Sequence, residues 1–188
     1  YAGSLRRSSE TIGDIDILAT GKNHEAIIAY FVKHPDVKNV LAQGETKASI
    51  VIGEGVQVDL RVVDESSFGA ALYYFTGSKD HNIRTRKIAI GKGWKINEYG
   101  LYEGEKQIAG RTEEEMFKKL GLPFIIPELR EDQGEVEAGY DGSLPHSLEL
   151  KDIRGDLHMH TEATDGRHSM EAMVAAAHKL GYEYIAIT

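Results

Sequence analysis

Three aspartates on two predicted strands are the side chains of this sequence best suited to bind divalent metal ions. Asp14 and Asp16 alternate with apolar residues, so a strand would place both carboxylates on one face, with their Cα atoms about 7 Å apart. Asp59 lies in a second alternating segment, 56–63. Carboxylate oxygens favour Mg²⁺ or Mn²⁺. Two such ions can activate an attacking oxygen and neutralise a leaving phosphate.

A short polar segment before the first aspartate has the residue types that bind a polyphosphate. Gly3, Ser4 and Arg7 supply a flexible turn, a hydroxyl and a guanidinium. Gly13 permits close approach of the backbone next to Asp14. An Asp-x-Asp strand alone is more often a solvated strand that binds nothing. Its combination with this segment favours a nucleotide site.

Composition restricts the chemistry open to the remaining residues. The 188 residues are 41% hydrophobic and 28% charged, which is typical of a globular protein. The sequence has no cysteine, so disulfides, thiolate nucleophiles and cysteine-ligated zinc are excluded. No apolar run reaches the roughly 20 residues of a membrane span, and no secretory signal is recognisable. We therefore expect a cytoplasmic protein that does not contact a membrane.

Charge is distributed unevenly along a chain whose formal net charge is −8. Residues 79–95 are rich in lysine and arginine, whereas residues 128–141 are rich in aspartate and glutamate. The net charge argues against non-specific coating of nucleic acid, but a local basic segment can bind phosphates. The first segment therefore suits a phosphate-bearing ligand, and the second would repel one.

Apolar periodicity predicts an α+β fold around these groups. Glycine turns separate three alternating segments within residues 38–63, which are expected to form an antiparallel meander. The first four residues are typical of a strand end, so we expect the chain to begin inside a longer protein. The predicted strands lie at 14–19, 38–41, 47–52, 56–63, 94–96 and 101–108. The predicted helices lie at 24–34, at 113–120, and on either side of Gly77-Ser78.

A second group of candidate ligands lies near the end of the chain. His158 and His160 alternate on a predicted strand, so both imidazoles would lie on one side. Asp165 in the following loop could add an oxygen ligand. A structural or surface role is the alternative, because an isolated His-x-His spacing does not demand a metal ion.

Four segments are predicted along the chain. Residues 1–66 hold the aspartate strands, and residues 67–133 hold the basic helix and the short strands. Residues 134–150 are acidic, rich in glycine and without periodicity, so they are predicted to be a linker. Residues 151–188 would form one βαβ unit. Such a unit cannot bury its own faces, so we expect self-association or disorder beyond Leu150.

Several motifs of the sequence resemble those of the family X DNA polymerases. Gly3-Ser4-Leu5-Arg6-Arg7 and Thr11-Ile12-Gly13-Asp14-Ile15-Asp16 resemble the nucleotidyltransferase palm signature of that family. Val58-Asp59-Leu60-Arg61 resembles its third-aspartate strand. Further likeness, to the thumb motifs, lies in residues 74–78, 96–99 and 113–130. The bacterial and archaeal members are the nearer match.

The resemblance implies a DNA-directed DNA polymerase that transfers a nucleotide from a dNTP to a primer 3′ hydroxyl in gap-filling repair. Its fold would be a palm at 1–66, with a mixed or antiparallel sheet and flanking helices, and a small α/β thumb at 67–133. Asp14 and Asp16 would hold two Mg²⁺ or Mn²⁺ ions. Asp59 would hold the catalytic ion and help to deprotonate the primer hydroxyl.

The same resemblance implies binding roles for further residues. The residues expected to bind the nucleotide are Gly3, Ser4, Arg7, Gly13, Tyr74, Phe75 and Gly77. The residues expected to bind DNA are Lys79, Asn82 and Arg84, with Lys79 and Asn82 as alternatives for the minor-groove contact. The aromatic pair could instead pack a helix into the core.

Two expectations concern the surroundings of Asp59. Gln57 stands where the vertebrate repair members carry arginine, so the orientation of the Asp59 carboxylate could differ. Arg61 could pair with Asp16 in an open site and with Glu98 or Tyr99 in a closed one, and a static ion pair is the alternative.

The end of the chain resembles the opening of a polymerase and histidinol phosphatase (PHP) domain. Bacterial and archaeal family X polymerases carry that domain after the thumb. The likeness lies in residues 155–161, 164–166 and 184–188. It implies a truncated βαβ start of a (β/α) barrel in which His158, His160 and Asp165 are partial metal ligands. We therefore expect no phosphoesterase or 3′ to 5′ exonuclease activity from this segment alone.

Two alternative functions remain open from the sequence. The chain could bind nucleotide or metal without turnover, or it could be a nucleotidyltransferase that acts on an RNA end or a small hydroxylated molecule. The basic helix and the segment Tyr74-Phe75-Thr76-Gly77-Ser78 count against the second alternative. The expected partners are gapped or primer-template DNA and dNTP, with no obligate protein partner.

Overall fold

Strand pairing places the three aspartates on two adjacent strands of a mixed sheet. The computed structural model describes residues 1–188, which form two separate units, 1–144 and 145–188. The strands of the first sheet are β1 (Asp14–Thr20), β2 (Val37–Gln43), β3 (Lys47–Ile52) and β4 (Val56–Val63), in the order β1-β4-β3-β2. β1 runs parallel to β4, and β2, β3 and β4 form an antiparallel meander. The predicted mixed sheet of an α+β protein is confirmed.

Helix α2 (His24–Val32) covers one face of this sheet. Its Ile28 packs with Leu60 and Val62 of β4 in a buried apolar cluster. The helix begins where the Asn23 Oδ1 atom accepts a hydrogen bond from the Ala26 amide at 2.9 Å. The apolar faces of β4 and α2 therefore share one core.

The prediction of a strand end at the start of the chain is wrong. Helix α1 (Gly3–Arg6) forms a single turn there. Gly3 has a φ of +63°, a conformation that favours glycine. The Ala2 amide donates to the Asp16 carbonyl at 2.8 Å, so this turn is fastened directly to β1.

Residues 67–144 form the helical part of the first unit. Its elements are α3 (Phe68–Thr76), α4 (Lys79–Gly91), β5 (Trp94–Asn97), β6 (Gly100–Glu103), β7 (Lys106–Ala109) and α5 (Glu113–Leu120). Gly77, at φ +71°, separates α3 from α4, and the Ser78 hydroxyl accepts from the His81 amide at 3.2 Å. The Thr112 hydroxyl likewise accepts from the Glu115 amide at 3.2 Å at the start of α5. These predicted helix boundaries are confirmed.

The structure differs from the predicted linker over residues 134–144. Helix α6 (Glu135–Asp141) lies there, and the first unit extends to Leu144. Val136 is buried in the same core as Phe117. This helix is stabilised by tertiary packing rather than by local sequence. Its acidic, glycine-rich segment therefore shows no helical periodicity from which the helix could be predicted.

The second unit contains one βαβ element. Strands β8 (Gly155–Met159) and β9 (Tyr184–Ile187) are parallel, and α7 (Met170–Lys179) connects them. Large apolar side chains remain exposed in this unit, among them Leu157 and Leu180. None of the helices in the chain combines the length and the apolar character that crossing a membrane requires.

Candidate active site

One cleft of about 480 Å³ collects most of the predicted site residues, and we call it the aspartate cleft. It is lined by Gly3, Ser4, Arg7, Asp14, Asp16, Tyr74, Phe75, Gly77, Lys79, Asn82, Ile83 and Arg86. Ten of these twelve residues belong to the predicted set, and Ile83 and Arg86 do not. The side chains come from α1, β1, α3 and α4, so the cleft lies between the sheet and the helical part of the first unit.

Burial and neighbouring charge act together on Asp16. Burial is the largest effect and raises the pKa of this carboxyl, and the nearby charges of Asp14 and Asp59 raise it further. The cations Arg61 and Arg7 lower it in part. The cluster of Asp14, Asp16 and Asp59 suits a divalent cation. A bound positive charge would offset the burial of the Asp16 carboxylate and the repulsion among the three carboxylates.

Gly3 leaves room for the Asp16 carboxylate. A Cβ atom at Gly3 would lie 2.2 Å from Asp16 Oδ2, closer than real Cβ atoms approach an oxygen. The left-handed φ of Gly3 also disfavours any other residue. The predicted glycine in the polar segment is therefore required here for its lack of a side chain and for its conformation.

Asp59 pairs in register with Asp16 across β1 and β4, and polar neighbours on β3 and β4 hold its carboxylate. The Ser49 hydroxyl donates to Asp59 Oδ1, and Gln57 Nε2 donates to Oδ2 at 2.9 Å. Gln57 therefore orients this carboxylate through a neutral amide. The structure holds no group of three or more His, Cys, Asp or Glu side chains placed to bind one metal ion. Asp59 does not line the aspartate cleft with the other two aspartates.

The guanidinium of Arg7 stands at the end of the cleft next to the turn between α3 and α4. Arg7 Nη1 donates to the Thr76 carbonyl at 2.6 Å, and Arg7 Nε donates to Glu131 Oε1 at 2.6 Å. A Cβ atom at Gly77 would lie 3.1 Å from Arg7 Nη1, so glycine permits this approach. Gly13 has no neighbouring atom within 4 Å of a Cβ position, which leaves its surroundings open.

A buried ionic network beneath the cleft escapes prediction from the sequence. Glu113 accepts hydrogen bonds from Arg6 at 2.9 and 2.6 Å and from Arg130 at 2.6 Å. Burial opposes its charge, but the hydrogen bonds and charges of the two arginines outweigh burial and lower the pKa of Glu113. Arg130 is fully buried among aromatic rings. Arg6 also donates to the Thr76 hydroxyl at 2.7 Å, so the network reaches the turn that Arg7 contacts.

Helix α4 presents two different basic faces. Lys79, Asn82 and Arg86 line the aspartate cleft. Arg84, predicted to bind DNA, instead makes an ion pair with Glu137 of α6. Residues four apart lie on the same helix face, whereas residues two apart do not. Arg86 is four residues from Asn82 and Arg84 is two residues from it. Helical spacing from Asn82 could therefore have placed Arg86 on the cleft face and Arg84 away from it.

Aromatic side chains close the cleft at the end of α3. The rings of Tyr74 and Phe75 meet edge to face, 5.2 Å apart, and the Arg61 guanidinium lies 4.5 Å from the Phe75 ring centre. Arg61 and Phe75 also line a smaller cavity of about 100 Å³ with Glu98 and Tyr99. Arg61 makes no ion pair with Asp16 in this structure, so the expected exchange of partners stays a prediction.

The second unit brings its three predicted ligands near one another. The rings of His158 and His160 are 4.8 Å apart, with their Nε2 atoms at 3.1 Å. His160 Nδ1 lies 2.9 Å from Asp165 Oδ1. His160 is thus the central member of the group, and Asp165 is largely exposed to solvent.

Comparisons with known proteins find similarity to DNA polymerases. Residues 71–131 match the family model described as DNA polymerase beta thumb. The chain is 41% identical over 191 aligned residues to the DNA polymerase/3′-5′ exonuclease PolX of Bacillus subtilis (strain 168). That alignment covers 100% of this chain and 33% of the relative.

Further relatives match about two thirds of the chain. DNA polymerase lambda of Rattus norvegicus is 32% identical, over 69% of this chain and 28% of the relative. Repair DNA polymerase X of African swine fever virus (isolate Pig/Kenya/KEN-50/1950) is 28% identical, over 68% of this chain and 78% of the relative. The chain thus spans about a third or less of the first two curated relatives.

The fold is shared with solved structures of Leishmania infantum polymerase beta. The ternary gap complex of that protein matches with a TM-score of 0.61 and 24% identity, over 69% of this chain and 61% of the other. Its ternary P/T complex matches with a TM-score of 0.58, also at 24% identity, over 69% of this chain and 66% of the other. About two thirds of this chain therefore shares the fold of those structures.

Proposed function

The chain belongs to the family X DNA polymerases, and we propose that its aspartate cleft transfers a nucleotide from a dNTP to a primer 3′ hydroxyl in gapped DNA. In that reaction the primer oxygen forms a bond to the α-phosphorus while the bond to pyrophosphate breaks. The primer hydroxyl loses its proton to a carboxylate. The observation that carries the proposal is the meeting of Asp14, Asp16, Ser4 and Arg7 in one cleft.

The carboxylates are proposed to hold divalent metal ions. Asp14 and Asp16 would bind Mg²⁺ or Mn²⁺, and Asp59 would complete the site from the neighbouring strand, since it stands opposite Asp16 in register. The ions would activate the attacking oxygen and offset the negative charge of the phosphates. Ser49 and Gln57 orient the Asp59 carboxylate through hydrogen bonds.

Two groups of cleft residues are assigned to the phosphate and the sugar of the nucleotide. Ser4 and Arg7 would bind the triphosphate, since a hydroxyl and a guanidinium both donate hydrogen bonds to phosphate oxygens. Tyr74 and Phe75 would pack against the sugar, because their rings line the cleft next to Gly77. The open surroundings of Gly13 leave space for a phosphate to approach the backbone.

DNA is proposed to lie along the basic face of α4. Lys79, Asn82 and Arg86 point into the aspartate cleft, and we assign to Arg86 the part that the sequence suggested for Arg84. The Asn82 amide donates to the Tyr74 carbonyl at 2.7 Å, which fixes its orientation beside the aromatic pair. Solved complexes described as gap and P/T complexes, from a protein of the same fold, support a gapped or primer-template partner.

Residues 151–188 are proposed to be the opening of a PHP domain. The parallel β8-α7-β9 element supports this assignment, because such units build parallel barrels. His158, His160 and Asp165 would be partial ligands of a divalent metal ion there. We propose no separate catalytic activity for this segment.

Primer extension on a one-nucleotide gap tests the proposal. The chain, Asp59→Ala and the control Asp36→Ala are compared at low salt with Mg²⁺ or Mn²⁺, because few phosphate contacts are available. Asp36 is an exposed aspartate on the outer turn after α2. Extension by the wild type and by Asp36→Ala, but not by Asp59→Ala, is expected. Nucleotide binding without extension would indicate a binding module, and transfer to an RNA end alone would indicate another acceptor.

A further inference from the structure

The Arg7 side chain donates hydrogen bonds to two acceptors that do not line the aspartate cleft. Its Nη1 atom donates to the Thr76 carbonyl and its Nε atom to Glu131, both at 2.6 Å. The side chain is only 15% exposed, although it lines the cleft. A guanidinium has five N–H groups. The two contacts therefore leave about three N–H groups of Arg7 free for a ligand.

Glu131 is held in place by its neighbour in the chain. Arg130 is fully buried, with its Nε atom donating to the Ile125 carbonyl at 2.9 Å and its Nη1 atom to Glu113 at 2.6 Å. The Arg130 carbonyl accepts from the Ser78 amide at 2.9 Å. The backbone that carries Glu131 is thus fixed to the same turn that Arg7 contacts.

We propose that Glu131 is a positioning residue that holds the Arg7 guanidinium ready for the triphosphate of the nucleotide. This inference rests on the proposed function. An arginine that is already fixed loses less side-chain freedom when a phosphate binds, so the nucleotide binds more tightly. The Glu131 carboxylate also offsets part of the positive charge that attracts phosphate. If this charge effect dominated, Glu131 would weaken nucleotide binding instead of strengthening it.

Three single variants separate these possibilities. Glu131→Ala removes the acceptor, Glu131→Gln keeps an acceptor without the charge, and Glu128→Ala is the control. Glu128 is an exposed glutamate of the same segment, so its substitution changes net charge equally. For one-nucleotide gap filling by the full chain, we expect Glu131→Ala to raise the KM for dNTP roughly threefold to tenfold while kcat changes little. Glu131→Gln should lie between wild type and Glu131→Ala, and the control should match wild type.

A double-mutant cycle with Arg7→Ala tests whether the effect acts through Arg7. In the Arg7→Ala background, Glu131→Ala should raise the KM no further. Additive effects would overturn the inference, and so would a lower KM in Glu131→Ala or a drop in melting temperature with unchanged KM. Equilibrium binding of dTTP to each variant provides a readout that does not need turnover, with an expected threefold to tenfold rise in Kd for Glu131→Ala.

The outcomes distinguish this inference from the proposed function. If the wild type extends the primer and Glu131→Ala behaves as Glu128→Ala does, only the positioning role is refuted. If the wild type binds dTTP without extending a primer, the proposed function fails, and the Kd values still decide the role of Glu131. If the wild type does not bind dTTP at all, both are refuted.

Discussion

Substitution of Glu113 by glutamine should destabilise the first unit severely, because this carboxylate neutralises two arginines at once. Its side chain is 4% exposed, and it accepts from Arg6 at 2.9 and 2.6 Å and from Arg130 at 2.6 Å. Glutamine has nearly the same volume, so it adds no cavity. The substitution therefore removes charge and hydrogen-bonding capacity alone.

The size of the effect follows from the burial of Arg130. Its guanidinium is fully buried, 4.9 Å from the Phe117 ring centre, so it cannot regain water when its partner is lost. Removal of one partner from a buried ion pair costs about 3–5 kcal/mol. Arg6 is 18% exposed and adds less, because water can replace part of its interaction. We expect a loss of about 3–5 kcal/mol, a large share of the roughly 5–15 kcal/mol that stabilises a domain.

Urea denaturation followed by tryptophan fluorescence measures this loss. Trp94 is the single tryptophan and packs against the core that contains Phe117. Glu114→Gln is the control, since Glu114 lies in the same first turn of α5 but is exposed. If Glu113→Gln and Glu114→Gln differ by less than about 1 kcal/mol, the argument from burial is refuted. The Glu113→Gln/Arg130→Met double variant should recover part of the loss, because it removes the unpaired charge.

The dependence of this stability on pH gives a second readout of the same prediction. The arginines outweigh burial and hold the pKa of Glu113 below its ordinary value. A depressed folded pKa stabilises the protein above the unfolded pKa, about 4.3 for glutamate, and this contribution is lost as pH falls toward the folded pKa. The wild type should therefore lose more stability than Glu113→Gln between about pH 5 and pH 3. Parallel stability curves would contradict the assignment.

Three further predictions test other parts of the structure. Gly3→Ala should lower primer extension at least tenfold, an order-of-magnitude expectation, because its Cβ would lie 2.2 Å from a site carboxylate oxygen. Wild-type activity in that variant would contradict the geometry. Arg86→Ala should weaken binding of gapped DNA and reduce the salt slope by about 1, whereas Arg84→Ala should do neither, as fluorescence anisotropy can measure. Burial lowers the pKa of His81 although Glu135 raises it, so stability should fall as pH drops below about 6.5, and His81→Asn should remove that slope in urea denaturation.

The sheet and its aspartates are predictable because they depend on local pattern. Alternation in β1 and β4 predicts which side chains share a face, and the structure places Asp14 and Asp16 together in the cleft. The boundaries of α4 and α5 are equally local, since Ser78 and Thr112 cap the following turns. Local pattern thus accounts for the carboxylate side of the cleft, whereas the assignment of the α3 and α4 residues to the same site depends on the family resemblance.

The parts that sequence reasoning missed depend on contacts between distant residues. Arg6 and Glu113 are 107 positions apart, and no periodicity connects them. Helix α6 was hidden because its stability comes from burial of Val136 and from the pairing of Glu135 with the buried His81. Only the choice between Arg84 and Arg86 had a local signal, the helical spacing from Asn82.

Single-turnover incorporation of one nucleotide into a gap, combined with equilibrium binding of the same dNTP, shows whether the aspartates of β1 and β4 act as one catalytic site. The wild type and Asp59→Asn are compared at saturating dNTP with Mg²⁺, so that chemistry is separated from binding. Asp59→Asn should still bind dNTP but incorporate it more slowly by a factor on the order of 100 or more, in line with the usual magnitude of general-base and metal-ligand contributions. Equal incorporation rates in the two proteins would contradict the claim that the aspartates of β1 and β4 form one catalytic site.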